Sequence, residues 1–187
     1  MTAFLKLPLM LSLTLAFPQL PAASVGDHSA IVRIECDEGS GSAVRIGKHL
    51  LVSVRHVTSL SGCQIDGEPI RVIYSNPKQD FSMLYSDEEG ETVAIDCGGY
   101  VKGRKYRAIG YARGLDETTT VELEGTGVKD GPLSLLSGTY TVIPGQSGGG
   151  IMDDDSGRYV GVVNTYDYPD GISGSVALSD TPVCRHA

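Results

Sequence analysis

Along this chain apolar and polar positions alternate in short runs and almost never return at a helical spacing. AIVRIEC, GSAVRI, HLLVSV, IRVIY and DFSMLY fill the first half. KYRAIGYA, TTTVELEG, LSLLSGTY, GGGIM, YVGVVNTY and SGSVAL follow in the second. Valine, isoleucine, threonine and tyrosine dominate these runs, and Gly, Asp, Asn and Pro separate them, the pattern of strands joined by turns. About a dozen short strands with no helices between them predict an all-β sandwich or barrel. The 24 glycines suit tight barrel corners as well as loops. The least strand-like stretch, residues 87–103, is the natural linker between two lobes of similar size.

The first two dozen residues depart from that pattern. Lys6 precedes a long apolar run without acids, and the run ends in the small residues Ala22, Ala23 and Ser24. This is the layout of a secretory signal peptide cleaved near Ala23 or Ser24. Pro8, Pro18 and Pro21 interrupt the run, which is short for a bilayer span, so a membrane anchor is the weaker reading. The expected organisation is a signal peptide at 1–24, a first lobe at 25–95 and a second at 96–187, the lobes forming one domain. The mature protein is expected to be secreted or periplasmic and free of the membrane.

Charge and cysteine content narrow the classes further. The formal net charge is −8, and the leader contains Lys6 but no acid, so its removal makes the protein more acidic. Nucleic acid is excluded as a partner, because phosphate binding needs clustered Lys and Arg. The acidic runs SDEEGE (86–91) and DDD (153–155) read as solvated turns, without the ordered ligand spacing of a calcium loop. Cys36, Cys63, Cys97 and Cys184 all lie beyond the leader, an even count that predicts two disulfides in an oxidising compartment. Their spacings of 27, 34 and 87 residues include no CxxC pair, so a zinc site is not expected. Neither metal nor cofactor is called for.

The chemistry-bearing stretch is TVIPGQSGGGIM (141–152), one serine between Gly-Gln and three glycines. A serine hydroxyl is a weak nucleophile and needs an adjacent base and a group that orients the base. Of the four histidines, His28 sits at the expected frayed N-terminus, His49 at a strand start and His186 near the C-terminus. His56 instead follows the strand HLLVSV and begins a turn, and Asp80 opens the strand DFSML. G-x-S-x-G also fits the nucleophile elbow of α/β-hydrolases. That elbow requires a strand–turn–helix and the order Ser, Asp, His, whereas no helical pattern follows Ser147.

GSGSAV (39–44), SVRHV (53–57), DFSML (80–84) and PGQSGGG (144–150) together resemble the trypsin-like, chymotrypsin-fold serine peptidases, in the order His, Asp, Ser. The likeness runs from about Ile31 to Leu178 and is nearest to the compact bacterial and viral members. It implies two six-stranded antiparallel β-barrels with the active site in the cleft between them. It implies a catalytic triad of Ser147, His56 and Asp80, and an oxyanion hole formed by the N–H groups of Gly145 and Ser147. It places Thr141 and Val142 at the floor of the primary substrate pocket and Asn164 and Thr165 on the strand that binds substrate backbone. Neither floor residue carries charge, so a neutral side chain is expected there, with Asp167 and Asp170 near enough in sequence to reach the rim. Of three possible cysteine pairings, the resemblance favours Cys36–Cys63, beside the histidine, with Cys97–Cys184 then tying the linker to the C-terminus.

Three positions depart from the family. Gln146 stands where many members carry the Asp that pairs with a newly cut N-terminus, so activation by N-terminal insertion is not expected. Arg55 replaces a small residue before the histidine, and Gly150 replaces a common proline. The expected function is an exported endopeptidase acting as a monomer on protein or peptide substrates. The alternative is a non-catalytic binding module of the same fold.

Overall fold

The computed structural model describes residues 28–113, 115–165 and 171–185. The expected leader, His186, Asp167 and Asp170 lie outside the described residues.

The strand pattern read from the sequence builds two antiparallel units. The first is a curled sheet of β1 (Ile31–Cys36), β2 (Gly39–Gly47), β3 (Leu50–Val54), β4 (Gln64–Ile65), β5 (Glu68–Pro69), β6 (Arg71–Asn76) and β7 (Phe81–Tyr85). Its order is β5-β4-β1-β2-β3-β7-β6. One turn of helix, α1 (Arg55–Thr58), follows β3 directly. The second unit is a closed six-stranded barrel in the order β10-β13-β12-β11-β8-β9. It contains β8 (Lys105–Tyr111), β9 (Thr118–Asp130), β10 (Leu133–Ser137), β11 (Gly150–Asp153), β12 (Tyr159–Thr165) and β13 (Ile172–Ala177). A short C-terminal helix, α2 (Pro182–Arg185), ends the described chain.

The all-β, two-lobed architecture agrees with expectation, but the first lobe has seven strands where six in a closed barrel were expected. The additional strands, β4 and β5, are two residues each, too short to carry a periodic signal. Pro69 in β5 lacks an N–H to extend the ladder, so this side of the sheet ends there.

Period-2 alternation explains how the lobes join. In the barrel, Tyr106 and Ala108 of β8, Ile151 of β11 and Val160 of β12 point into a cluster with Leu123 and Leu136. Their neighbours Ile109, Met152 and Tyr159 point outward, into one cluster with Ile31, Ile34, Val44, Leu51 and Leu84 of the first sheet. The outer face of the barrel is therefore core for the other lobe.

The segment from 86 to 104 spans the junction without a strand, apart from a single parallel bridge between Ile95 and Tyr159. Buried Arg45 donates to the carbonyl of Glu88 (2.7 Å) and holds the start of this segment. The cystine Cys97–Cys184 fixes its middle to α2, and Cys36–Cys63 closes the other pair. The DDD run is less solvated than its charge implies. Asp153 is buried, pairs with Arg104 (2.9 Å) and accepts the N–H groups of Asp155 and Ser156.

The Cys97–Cys184 loop encloses 87 residues, for which chain entropy alone gives a stabilisation of about 4–5 kcal/mol. Replacing both cysteines by serine should lower the unfolding free energy by roughly that amount in urea titration. A loss below about 1 kcal/mol would mean that the linker is held by its other contacts.

Candidate active site

His56 and Asp80 meet because β3 and β7 are paired neighbours whose ends, Val54 and Phe81, lie opposite each other. His56 is carried on α1 just beyond β3, and Asp80 immediately precedes β7. Asp80 takes a left-handed conformation (φ 51°), which Asp tolerates better than most residues. Its backbone carbonyl accepts Arg55 N–H (3.1 Å), and its Oδ1 accepts His56 N–H (2.8 Å). A four-residue helix with no side-chain cap at Val54 thus has its first donors satisfied by the aspartate it must face.

The other carboxylate oxygen orients the ring. Oδ2 accepts His56 Nδ1–H at 2.5 Å and Asn164 Nδ2–H at 2.8 Å. Burial raises the Asp80 carboxyl. The hydrogen bonds and charge of His56, with the Asn164 amide, outweigh it and hold the group below the ordinary carboxylate value. Asp80 is therefore an ionised acceptor across the neutral range, which places the proton of neutral His56 on Nδ1 and leaves Nε2 as a base. Nearly half of the His56 side chain is exposed (47%). Arg55 points into solvent, so its bulk leaves the histidine turn undisturbed.

Ser147 lies on a turn that the sequence shapes tightly. Gln146 N–H donates to the carbonyl of Ile143 (3.1 Å), with Pro144 and Gly145 (φ 95°) between them, the residue order of a type II turn. A side chain at Gly145 would strike the backbone of Arg113 and Tyr111. At Gly148 (φ 88°) it would overlap the carbonyl of Ser42. The carbonyl of Pro144 accepts Arg113 N–H (2.7 Å), so the planar trans peptide turns Gly145 N–H the opposite way. Among the described residues neither Gly145 N–H nor Ser147 N–H donates to any acceptor. Buried Gln146 supports the turn from behind, accepting Ile143 N–H (2.9 Å) and donating to Thr119 Oγ1 (2.9 Å). An uncharged amide thus fills the place where the acid was missing.

The Ser147 hydroxyl itself is turned aside. Ser147 Oγ donates to the backbone carbonyl of Asn164 (3.1 Å), and among the described residues no hydrogen bond joins it to His56. Asn164 therefore touches both halves of the site, Ser147 through its carbonyl and Asp80 through its amide.

The expected pocket residues fall in different places. Thr141 borders an apolar groove of about 500 Å³ with Val121, Tyr140 and Ile143. Val142 is only 2% exposed, packs in the barrel core and donates its N–H to Ser173 Oγ, so it supports the pocket segment rather than lining it. Thr165 belongs to β12, and its side chain lies outside the described residues.

Sequence reading missed one residue outright. Ser42, on β2, donates its N–H to the carbonyl of Ser147 (2.8 Å) and its hydroxyl to the carbonyl of Gly145 (3.0 Å). The same hydroxyl accepts Tyr111 N–H (2.9 Å). Its signal in the sequence was a small polar residue beside Ala43 and Val44 within the strand GSGSAVRIG, where a buried hydroxyl must have partners.

No protein-family model and no curated protein matches the chain. Its fold, however, is shared with solved structures. The serine endoprotease from Yersinia pestis aligns with a TM-score of 0.68 and 18% identity, over 81% of this chain and 60% of that one. The HtrA-type protease AlgW with tripeptide gives 0.67 and 19%, over 80% and 56%. Rv3671c from M. tuberculosis H37Rv, in an inactive form, gives 0.64 and 16%, over 82% and 83%. The chain spans less than two thirds of the length of the first two. The closed barrel with its curled partner sheet is the chymotrypsin-like arrangement of these serine proteases.

Ser42→Ala should cost about 1–3 kcal/mol in chemical unfolding, because it strips the carbonyl of Gly145 and the N–H of Tyr111 of their shared partner. An unchanged unfolding midpoint would show that the cross-lobe hydroxyl contributes nothing.

Proposed function

We propose that this chain is a serine endopeptidase, exported by its first 24 residues, that cleaves peptide bonds through Ser147, His56 and Asp80. The observation that carries the reading is the histidine held on an ionised, partly buried aspartate that Asn164 links to a serine, on a turn whose Gly145 and Ser147 N–H groups have no acceptor among the described residues. The serine-protease fold and two cystines accord with it, and no described helix is long and apolar enough to cross a membrane.

In the proposed reaction Ser147 Oγ leaves the carbonyl of Asn164, transfers its proton to His56 Nε2 and attacks the substrate carbonyl carbon. Gly145 N–H and Ser147 N–H receive the oxyanion, and Asp80 stabilises the imidazolium. His56 then protonates the departing amine, and water resolves the acyl-enzyme by the same steps in reverse roles. Asn164 O is freed to accept a backbone N–H from the substrate as the serine departs.

One observation favours the alternative of a non-catalytic binding module, namely the serine hydroxyl committed to Asn164 instead of His56. A fluorophosphonate probe separates the two, since only an activated serine is phosphonylated.

Ser147→Ala or His56→Ala should each lower kcat by roughly 10⁴–10⁶, with the double variant little worse, because the residues act as one unit. Turnover that survives Ser147→Ala would refute the mechanism. The uncharged Thr141 beside the nucleophile segment leads to a second expectation, preference for a neutral residue before the scissile bond, since burying an unpaired Lys or Arg is costly. Peptides differing only at that residue test it, and a roughly tenfold preference for Arg or Lys, about 1.4 kcal/mol, would mean that an acid reaches the pocket.

A further inference from the structure

A second groove, of about 480 Å³, opens beside the nucleophile turn, between β1–β2 and the connection from β8 to β9. Arg113 forms one wall, and Ser40, Gln64, Glu35, Asp37 and Arg33 contribute to the rest. Its position relative to Ser147 follows from backbone contacts. Arg113 N–H holds the carbonyl of Pro144, one residue before the proposed oxyanion donor Gly145. Ser42, two residues along β2 from Ser40, holds the carbonyl of Ser147. Asn164, proposed to bind the acyl side of the substrate, contacts Ser147 through its hydroxyl instead. With Asn164 on the acyl side, as proposed, a groove reached from the Ser42 side of the turn falls on the side from which the amine departs.

Its charges are unevenly placed. Arg33 is already engaged, by Glu35 (3.4 Å) and by Asp116 (3.1 Å). Arg113 is exposed, and among the described residues its guanidinium has no partner. Asp37 lies past the end of β1, four residues beyond Arg33, which pairs with Ser42. At about 3.3 Å per residue, Asp37 is some 13 Å from the level of Ser42. The near end of the groove therefore carries one unneutralised cation, and the exposed carboxylate of Asp37 sits at the far end. An extended peptide advances about 3.3–3.6 Å per residue, so the groove has length for some four residues, the first two beside Arg113.

We infer that Arg113 is a specificity-determining residue that selects an acidic side chain within two residues after the scissile bond. This rests on the endopeptidase reading and deepens it, giving the substrate class as peptides with an acid on the leaving side. The guanidinium meets a carboxylate through two parallel N–H groups, a geometry that neither an amide nor an ammonium on the substrate can use. Because the pair is exposed, its effect is moderate and falls as salt screens it.

The test uses the mature wild-type protein and its Arg113→Gln and Arg113→Glu variants. Three peptide sets share one acyl side and carry Glu, Gln or Lys at the first and second leaving-side residues. For the wild type, kcat/KM should fall in the order Glu, Gln, Lys. Attraction and repulsion together should give an overall ratio of about 3–10, shrinking as sodium chloride is raised from about 0.05 to 0.5 M. Arg113→Gln should flatten the order and Arg113→Glu should invert it. Labelling by a fluorophosphonate is followed in parallel for each protein. A labelled wild type that cleaves all three alike, or a labelled Arg113→Glu variant that keeps the wild-type order, overturns the assignment of Arg113 and leaves the endopeptidase reading standing. A wild type that neither labels nor cleaves overturns both.

Discussion

Ser42 belongs to the first sheet, yet its N–H and its hydroxyl both end on the turn that carries Ser147 in the second lobe. Everything at the site depends on this crossing. His56 and Asp80 are fixed within the first lobe, while Ser147 and the N–H groups of Gly145 and Ser147 are fixed within the barrel. Their relative position is only as good as the contact between lobes. A shared apolar cluster supplies the adhesion but little direction, since apolar burial is not directional. The hydrogen bonds of Ser42 supply the register, and the Asn164 amide reaching Asp80 supplies it again from the barrel side.

Within the first lobe the same economy recurs. One carboxylate caps α1, fixes the His56 tautomer and accepts from Asn164, so the orientation of the imidazole and the start of its helix share a single anchor. Thr58 Oγ1 ties the end of that helix to Ser82 on β7 (2.9 Å), and the Cys36–Cys63 cystine lies against the carbonyl of Val57. A helix of four residues has no stability of its own, so its neighbours on either side must hold it.

Much of this was legible in the chain. Alternating β-branched runs showed the long strands, because a strand with one buried face must alternate. The glycine-rich segment with His56 and Asp80 upstream pointed to the three side chains and their order. What the sequence concealed was of two kinds. The two-residue strands β4 and β5 are made by tertiary pairing and have no period to detect. Ser42, Gln146 and the Asn164 amide act through hydrogen bonds to residues remote in the chain, 103 positions away for Ser42 and Gly145 and 84 for Asn164 and Asp80. A small polar residue in the buried stretch of a strand must have a partner, but only the fold reveals which. Val142, buried in the barrel core next to Thr141, shows that proximity in sequence says nothing about which way a side chain turns.

The common apolar cluster has a consequence for how such a chain endures. Side chains of both lobes interlock in one body, from Ile31 and Leu51 to Val162 and Val176, so the lobes cannot part without exposing apolar surface on both. Local loosening is then suppressed in favour of concerted, all-or-none denaturation. For a proposed peptide-cutting enzyme this matters twice over. If it cuts peptides, the lethal neighbour of each molecule would be another copy of itself, and a partly melted lobe would be food. A fold without a separately meltable half withholds that meal until the whole molecule is lost.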